Sequence, residues 1–268
     1  MTILVTGATG NIGRKVVDHL LARGARDVRA LTVDPGKAAL PSDVEVVRGY
    51  LRKVETLPAA FEGVSGMYLA PTPDTVEDVV RLAREAGVEH VVDLSGEPES
   101  WWGTVTTAVE RSGMDWTHLW PGDFMENSLM WAEQIRRTGA VREPYPESAS
   151  TPIAMDDIAA VAATALLDDS HRGKAYPLTG PEALTRTELV AHIGTALGRE
   201  IRFVKSTPEE TVRALTPAMR DNAQWYVDNV LTTFEAGTAE PNHLVEEITG
   251  RPATRFADWA RAHAHEFA

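Results

Sequence analysis

Three glycines near the start of the chain, Gly7, Gly10 and Gly13, limit what it can fold into more than any other feature. They follow Met1-Thr2-Ile3-Leu4-Val5, a short apolar run rich in β-branched residues. Arg14 to Arg23 come next, with Val16, Val17, Leu20 and Leu21 at helical spacing. A buried strand, a glycine turn and a helix form the context in which such a pattern becomes a phosphate site. The turn must be tight, the backbone must approach a pyrophosphate closely, and the helix must pack hard on the sheet. The positive end of the helix and its free N–H groups then face the phosphates. The spacing is Gly-x-x-Gly-x-x-Gly, and it reads as a dinucleotide site drawing on Gly7, Thr9, Gly10, Asn11, Ile12 and Gly13. The alternative is a bare structural turn in an α/β protein without its cofactor.

Strand-like and helix-like segments alternate from this point. Asp27–Val33, Val44–Val47, Gly66–Ala70, His90–Gly96 and Trp116–Leu119 read as strands. Asp74–Ala86 reads as a helix with Val76, Val79, Val80 and Ala83 on one face, and Thr104–Ser112 as another. The alternation predicts an α/β fold, a doubly wound parallel sheet of Rossmann type. Ligands of such sheets sit past the carboxyl ends of the strands, which adds Thr32, Val33, Asp34, Ala70, Pro71, Leu94 and Pro121 to the expected cofactor contacts. The end of the second strand usually decides between NAD and NADP. An acid there binds the ribose, whereas an arginine accommodates the extra phosphate. Thr32 and Val33 are neutral, Asp34 is one step late, and Arg14 and Lys37 are the nearest cations. The signal is mixed, with a slight lean toward NAD. Tyr50 could stack on the adenine or simply sit on the rim.

Beyond Pro144 the rhythm changes. A helix over Met155–Leu167, a strand over Ala175–Thr179, a capped helix over Thr185–Leu197 and a strand over Ile201–Val204 are expected, then mostly helix. Residues 1–144 therefore read as the NAD(P)-binding domain, with later strands returning to it. Residues 145–268 read as a smaller α+β C-terminal cap that binds substrate and is not an independent module. The formal charge of -13 argues against nucleic acid or an anionic membrane as partner. Without cysteine, thiolate catalysis, disulfides and thiolate metal sites are excluded. His118 reads as a core histidine, and His263 and His265 lack a carboxylate cluster at ligand spacing, so no metal is expected. The first strand begins at residue 2, leaving no room for a signal peptide, and no apolar run approaches the ~20 residues of a membrane span. A cytoplasmic protein is expected. Its apolar helices could support a homodimer, though nothing specifies one.

Gly7-Ala8-Thr9-Gly10-Asn11-Ile12-Gly13, Trp120-Pro121-Gly122-Asp123-Phe124-Met125-Glu126-Asn127 and Leu178-Thr179-Gly180-Pro181-Glu182-Ala183-Leu184-Thr185 together resemble the NmrA-like group of atypical short-chain dehydrogenase/reductases. The resemblance runs nearly end to end, including Thr249-Gly250-Arg251-Pro252 and Phe256-Ala257-Asp258-Trp259-Ala260. It implies NAD(P)H-dependent quinone reduction, tailoring of aromatic secondary metabolites such as antibiotics, or cofactor sensing without turnover. The chain departs from the wider superfamily in having no Tyr-x-x-x-Lys acid. Its tyrosines stand at 50, 68, 145, 176 and 226, none with a lysine four residues on. The segment where that pair would sit reads Trp101-Trp102-Gly103-Thr104-Val105-Thr106. Val33 replaces the strand-end arginine usual among relatives, and Trp120 an arginine common before Pro-Gly.

The missing pair argues against alcohol–ketone interconversion, in which an alkoxide must be protonated as hydride moves. Hydride delivery to a quinone-like or polycyclic aromatic acceptor remains open, because its phenolate-like product has a conjugate acid of pKa roughly 10. Water or a weak donor can protonate it. Trp101, Trp102, Phe124, Met125 and Trp131, with Trp225 as a further candidate, could stack on such a substrate, or could be core residues. Ser95, Asp123 and Asn127 are the candidate polar groups for orienting or protonating it, against readings as a cofactor or turn contact, a solvated loop acid and a helix cap. The competing class is a non-catalytic NAD(P)-sensing regulatory protein; dehydration or isomerisation in the same pocket is the third reading.

Overall fold

The computed structural model describes residues 1–231 and 240–268. These form two units: Met1–Pro121 with Met155–Leu178 and Leu244–Arg251, and Gly122–Ala154 with Thr179–His243 and Pro252–Ala268.

In the first unit the apolar runs become β1 (Thr2–Val5), β2 (Val28–Thr32), β3 (Glu45–Arg48), β4 (Val64–Leu69), β5 (His90–Leu94) and β6 (Asp115–Pro121). The helices between them are α1 (Gly13–Ala22), α2 (Pro58–Phe61), α3 (Val76–Glu85) and α4 (Gly103–Arg111). The sheet runs in the order β3-β2-β1-β4-β5-β6, closed by the strand Lys174–Leu178. Every pairing in it is parallel. Strand order therefore reverses between β1 and β4, the switch point at which such sheets open a crevice. Side chains alternate between the two faces. Leu4, Leu31, Met67 and Val91 join a core with Val76, Val79, Val80 and Ala83 of α3 and Val105 and Val109 of α4. Each buried Val, Leu or Met side chain among them contributes about 1.5–3 kcal/mol. α1 buries Val16, Val17 and Leu20 and packs against the helix Met155–Leu167, whose alanines permit close approach. His19 Nε2 and Asp156 Oδ1 meet across that contact at 3.0 Å.

The amino-terminal end of this sheet carries a pH dependence. His90 is 3% exposed, and its ring Nε2 lies 3.0 Å from Thr117 Oγ1. Burial, followed by the nearby Arg172 charge, pushes its pKa down to about 4. The unfolded chain therefore takes up a proton near pH 6.5 that the folded chain refuses until about pH 4. Stability is unaffected above that window and lost as pH falls through it, by on the order of 3 kcal/mol. His171, also pushed down by burial, acts in the same direction. Asp156, held down to about 2 chiefly by its hydrogen bond from His19, adds a loss only below its ordinary value. Urea midpoints between pH 7 and pH 4 are expected to fall steeply for the wild type and less for His90→Asn.

The second unit is α+β. The strand Ala140–Glu143 pairs in parallel with Arg202–Lys205, and Ala149–Ser150 antiparallel with Leu184–Thr185. Thr185 caps the helix Arg186–Leu197 through a reciprocal pair with Glu188. Ile135, Val141, Leu189, Ile193, Phe256 and Trp259 contribute to its core. The division differs from a boundary at residue 144. Gly122–Ala154 belong to this unit because Ala140–Glu143 needs Arg202–Lys205 as its partner, whereas Met155–Leu178 belong to the first because Lys174–Leu178 extends its sheet beside β6. Among the described residues no helix is long and apolar enough to cross a membrane.

Candidate functional site

The glycine turn is a cradle closed by its own backbone. Gly7 has φ +59°, the left-handed region that favours glycine, and its N-terminal neighbour Thr6 ties the turn to β4 through hydrogen bonds with the Tyr68 carbonyl and the Ala70 N–H. The Gly10 N–H donates to the Gly7 carbonyl at 2.8 Å. A Cβ on Gly13 would lie 2.2 Å from the Gly7 oxygen. No side chain caps α1 and its first turn holds no acid, so its positive end is left for an anion. Asn11 is exposed at that end, while Ile12 is buried beneath it. The cradle fits the pyrophosphate of a dinucleotide.

A cavity of about 160 Å³ opens past the ends of β2 and β3. Gly7, Thr9, Thr32, Val33 and Pro71 line it, as expected. Thr9 and Thr32 share a hydroxyl contact at 3.1 Å, and Val33 is 55% exposed on the rim. Asp34 lies outside the lining and pairs with Lys37 at 3.4 Å. Arg14 is engaged with Asp18 and the Ala39 carbonyl. Gly49, Tyr50, Leu51, Arg52 and Thr72 also line the cavity. Of these only Tyr50 is singled out by the sequence, as an adenine-stacking or rim residue. Gly49 is needed because a Cβ there would sit 2.6 Å from Leu31 Cδ1 and 3.2 Å from the Thr56 carbonyl. The available signal was position, since Arg48-Gly49-Tyr50-Leu51-Arg52 follows directly on the strand that neighbours β2.

At the end of β5, Leu94 and Ser95 are buried, and the Ser95 N–H donates to the Leu119 carbonyl at 3.0 Å. Ala70 follows the end of β4 and Pro121 is the last residue of β6, both half-buried. The loop after Ser95 turns sharply into α4, where a Cβ on Gly103 would meet the Pro98 carbonyl at 2.1 Å. That loop presents Trp101 at 73% and Trp102 at 41% exposure. His118 is core, as expected, with Nδ1 2.6 Å from Asp93 Oδ2. Tyr68 is no acid for this crevice: it is fully buried, and burial, followed by the Asp93 charge, holds its phenol well above the ordinary range.

The remaining candidates lie in the second unit. Asp123 accepts from Asn127 Nδ2 at 2.9 Å and from Ser150 Oγ at 3.0 Å, so both carboxylate oxygens are engaged and the three side chains form one polar cluster. Asn127 is exposed and Phe124 half-buried. Met125 and Trp131 do not line a pocket: both are core, and the Trp131 indole N–H donates to the buried Glu143 at 2.7 Å. Trp225 is half exposed on the helix Asn222–Asn229.

The NAD(P)H-binding domain family matches residues 7–97. An NAD(P)H azoreductase of Xenophilus azovorans is 38% identical, the alignment covering 99% of each chain. A (4-alkanoyl-5-oxo-2,5-dihydrofuran-3-yl)methyl phosphate reductase of Streptomyces griseus is 36% identical, again over 99% of both. In fold, the chain is similar to an NADPH-dependent quinone oxidoreductase of Escherichia coli solved with NADPH, at TM-score 0.87 and 23% identity over 97% of this chain and 99% of that one.

Proposed function

The chain belongs to the NmrA-like atypical short-chain dehydrogenase/reductases and is an NAD(P)-dependent oxidoreductase; from that premise we propose that it reduces a quinone-like or polycyclic aromatic small molecule. What carries this reading is an intact glycine cradle beside a donor set without a Tyr-x-x-x-Lys acid. Bound NAD(P)H would supply the hydride. The protein's part is to hold the acceptor flat, exclude other geometries and stabilise the anion that forms. Trp101 and Trp102 offer exposed indole faces on the loop after β5 for stacking. The acceptors in the relatives' names (an azo bond, an unsaturated oxo-furan, a quinone) are all electron-poor conjugated systems, which supports this substrate class. A tailoring step on an aromatic secondary metabolite is the setting it suits.

Anaerobic mixing with NADH or NADPH and a panel of naphthoquinones, anthraquinones and azo dyes tests the proposal by loss of nicotinamide absorbance. Acceptor-dependent oxidation is the expected result. Tight cofactor binding with no oxidation by any acceptor would turn the assignment to the NAD(P)-sensing protein. Between the cofactors we propose a lean toward NADH, since Val33 stands at the strand end in place of an arginine and Asp34 stands one residue on. Val33→Arg is expected to move the kcat/KM ratio about tenfold toward NADPH, the worth of one modest charge-assisted hydrogen bond.

A further inference from the structure

Two side-chain donors, Trp120 of β6 and Thr106 of α4, line up toward Ser95 just past the end of β5. The Trp120 indole N–H donates to Thr106 Oγ1 at 3.3 Å. Thr106 Oγ1 in turn donates to Ser95 Oγ at 3.0 Å and to the Gly96 carbonyl at 2.6 Å. Thr106 lies on α4 and is fully buried. Trp120 is itself held. Its ring stacks on His118, with centroids 5.9 Å apart and planes 8° from parallel, and His118 stacks on Trp116 at 4.2 Å. Residues 116, 118 and 120 share one face of β6 through the two-residue period of a strand.

A count of protons decides what this arrangement does. Thr106 has one hydroxyl proton, shared between two acceptors, and one lone pair filled by the indole N–H. Ser95 Oγ accepts from Thr106, the one direction in which that contact has hydrogen-bond geometry, and among the described residues the Ser95 hydroxyl makes no hydrogen bond as donor. The backbone of Ser95 is fixed, because its N–H extends the β5–β6 ladder to Leu119. A hydroxyl that accepts a hydrogen bond is polarised into a better donor.

We propose that Thr106, backed by the Trp120 indole, is a positioning residue that leaves the Ser95 hydroxyl proton for the acceptor oxygen that becomes anionic on reduction. This rests on the reductase reading. Hydride addition leaves the electron pair on that oxygen; Ser95 stabilises it by a hydrogen bond and keeps its own proton, and water supplies the proton of the product.

Thr106→Val, Thr106→Ser and Trp120→Phe test this with two readouts: turnover with 1,4-naphthoquinone, and binding of 4-nitrophenolate followed by its own absorbance. In Thr106→Val both kcat and phenolate affinity are expected to fall about tenfold, 1.4 kcal/mol, while NAD(P)H affinity is unchanged. Thr106→Ser, which restores the hydroxyl, is expected to recover both. Trp120→Phe, which keeps an aromatic ring beside His118 and loses the indole N–H together with the second ring, is expected to fall a few-fold. Wild-type behaviour of Thr106→Val in both readouts overturns the proposal. So does a Thr106→Ser variant as impaired as Thr106→Val, which would make the effect one of packing. A wild type that oxidises no cofactor would remove the reductase reading, and the phenolate comparison would still decide the donor chain. A wild type that binds no phenolate overturns it.

Discussion

Replacing Glu143 with alanine is expected to destabilise the protein by about 3–5 kcal/mol, because it strips a buried guanidinium of its carboxylate. Glu143 is fully buried and binds two groups at once. One oxygen accepts from the Trp131 indole at 2.7 Å, and the other pairs with Arg186. Arg186 is 4% exposed, with its guanidinium carbon 4.9 Å from the centre of the Trp131 ring. Burial works against the charge of Arg186, but Glu143 beside it wins and holds the group above its ordinary range. Tyr226 gives no counter-charge there, since burial holds its phenol protonated. Thermal denaturation is expected to show a drop on the order of 10 °C for Glu143→Ala. The double variant Glu143→Met/Arg186→Met removes both charges and is expected to lose much less than either single change, because a buried ion pair exchanged for apolar side chains is close to neutral. Additive losses in that cycle would mean that the two side chains are not coupled.

This cluster also shows where reading the sequence stops. Glu143 and Arg186 stand 43 residues apart, and nothing local to either marks the other. Trp131 and Met125 belong to a tryptophan-rich segment that suggested a ligand surface. The indole instead finds its acceptor twelve residues on, in Glu143, a contact that exists only once Ala140–Glu143 has paired with Arg202–Lys205. The crevice past the strand ends was legible for the opposite reason. Gly7 to Gly13 are contiguous, the strand before them and the helix after them carry their own hydrophobic periods, and the carboxyl-end rule places Thr32, Val33 and Pro71 without any side-chain detail. Arg52 and Thr72 were missed because they enter the same cavity from turns with no period of their own. The capped helix at Thr185 was legible because its cap and its reciprocal partner Glu188 are three residues apart. The donors behind Ser95 were not, since they depend on the register of β5 against β6.

Gly13→Ala is expected to be the most damaging single methyl that can be added to the cofactor cradle. A Cβ there meets backbone, not a side chain that could turn aside: 2.2 Å from the Gly7 oxygen, 2.7 Å from the Gly7 carbonyl carbon and 3.1 Å from the Thr6 oxygen. Relief requires either opening the turn or moving α1 off the sheet. The turn is fixed by the Gly10–Gly7 hydrogen bond at 2.8 Å and by Thr6 on β4, while α1 is fixed by Val16, Val17 and Leu20. Overpacking of this kind costs about 1–3 kcal/mol of stability. The larger consequence falls on binding, since the displaced elements are the ones that would face the pyrophosphate, and each 1.4 kcal/mol lost there is about a tenfold loss of NAD(P)H affinity. Gly10→Ala, whose Cβ lies 3.1 Å from the Gly7 oxygen, needs only a small adjustment and is expected to be milder. Gly24→Ala serves as the control: its φ of +87° makes it strained, yet nothing lies within 4 Å of its Cβ and it sits past the far end of α1, so stability should fall with cofactor affinity intact. Fluorescence titration with NADH and with NADPH and a thermal melt on each variant give the ordering. If Gly13→Ala bound cofactor as tightly as Gly24→Ala, the crevice between β1 and α1 would not be where the pyrophosphate binds.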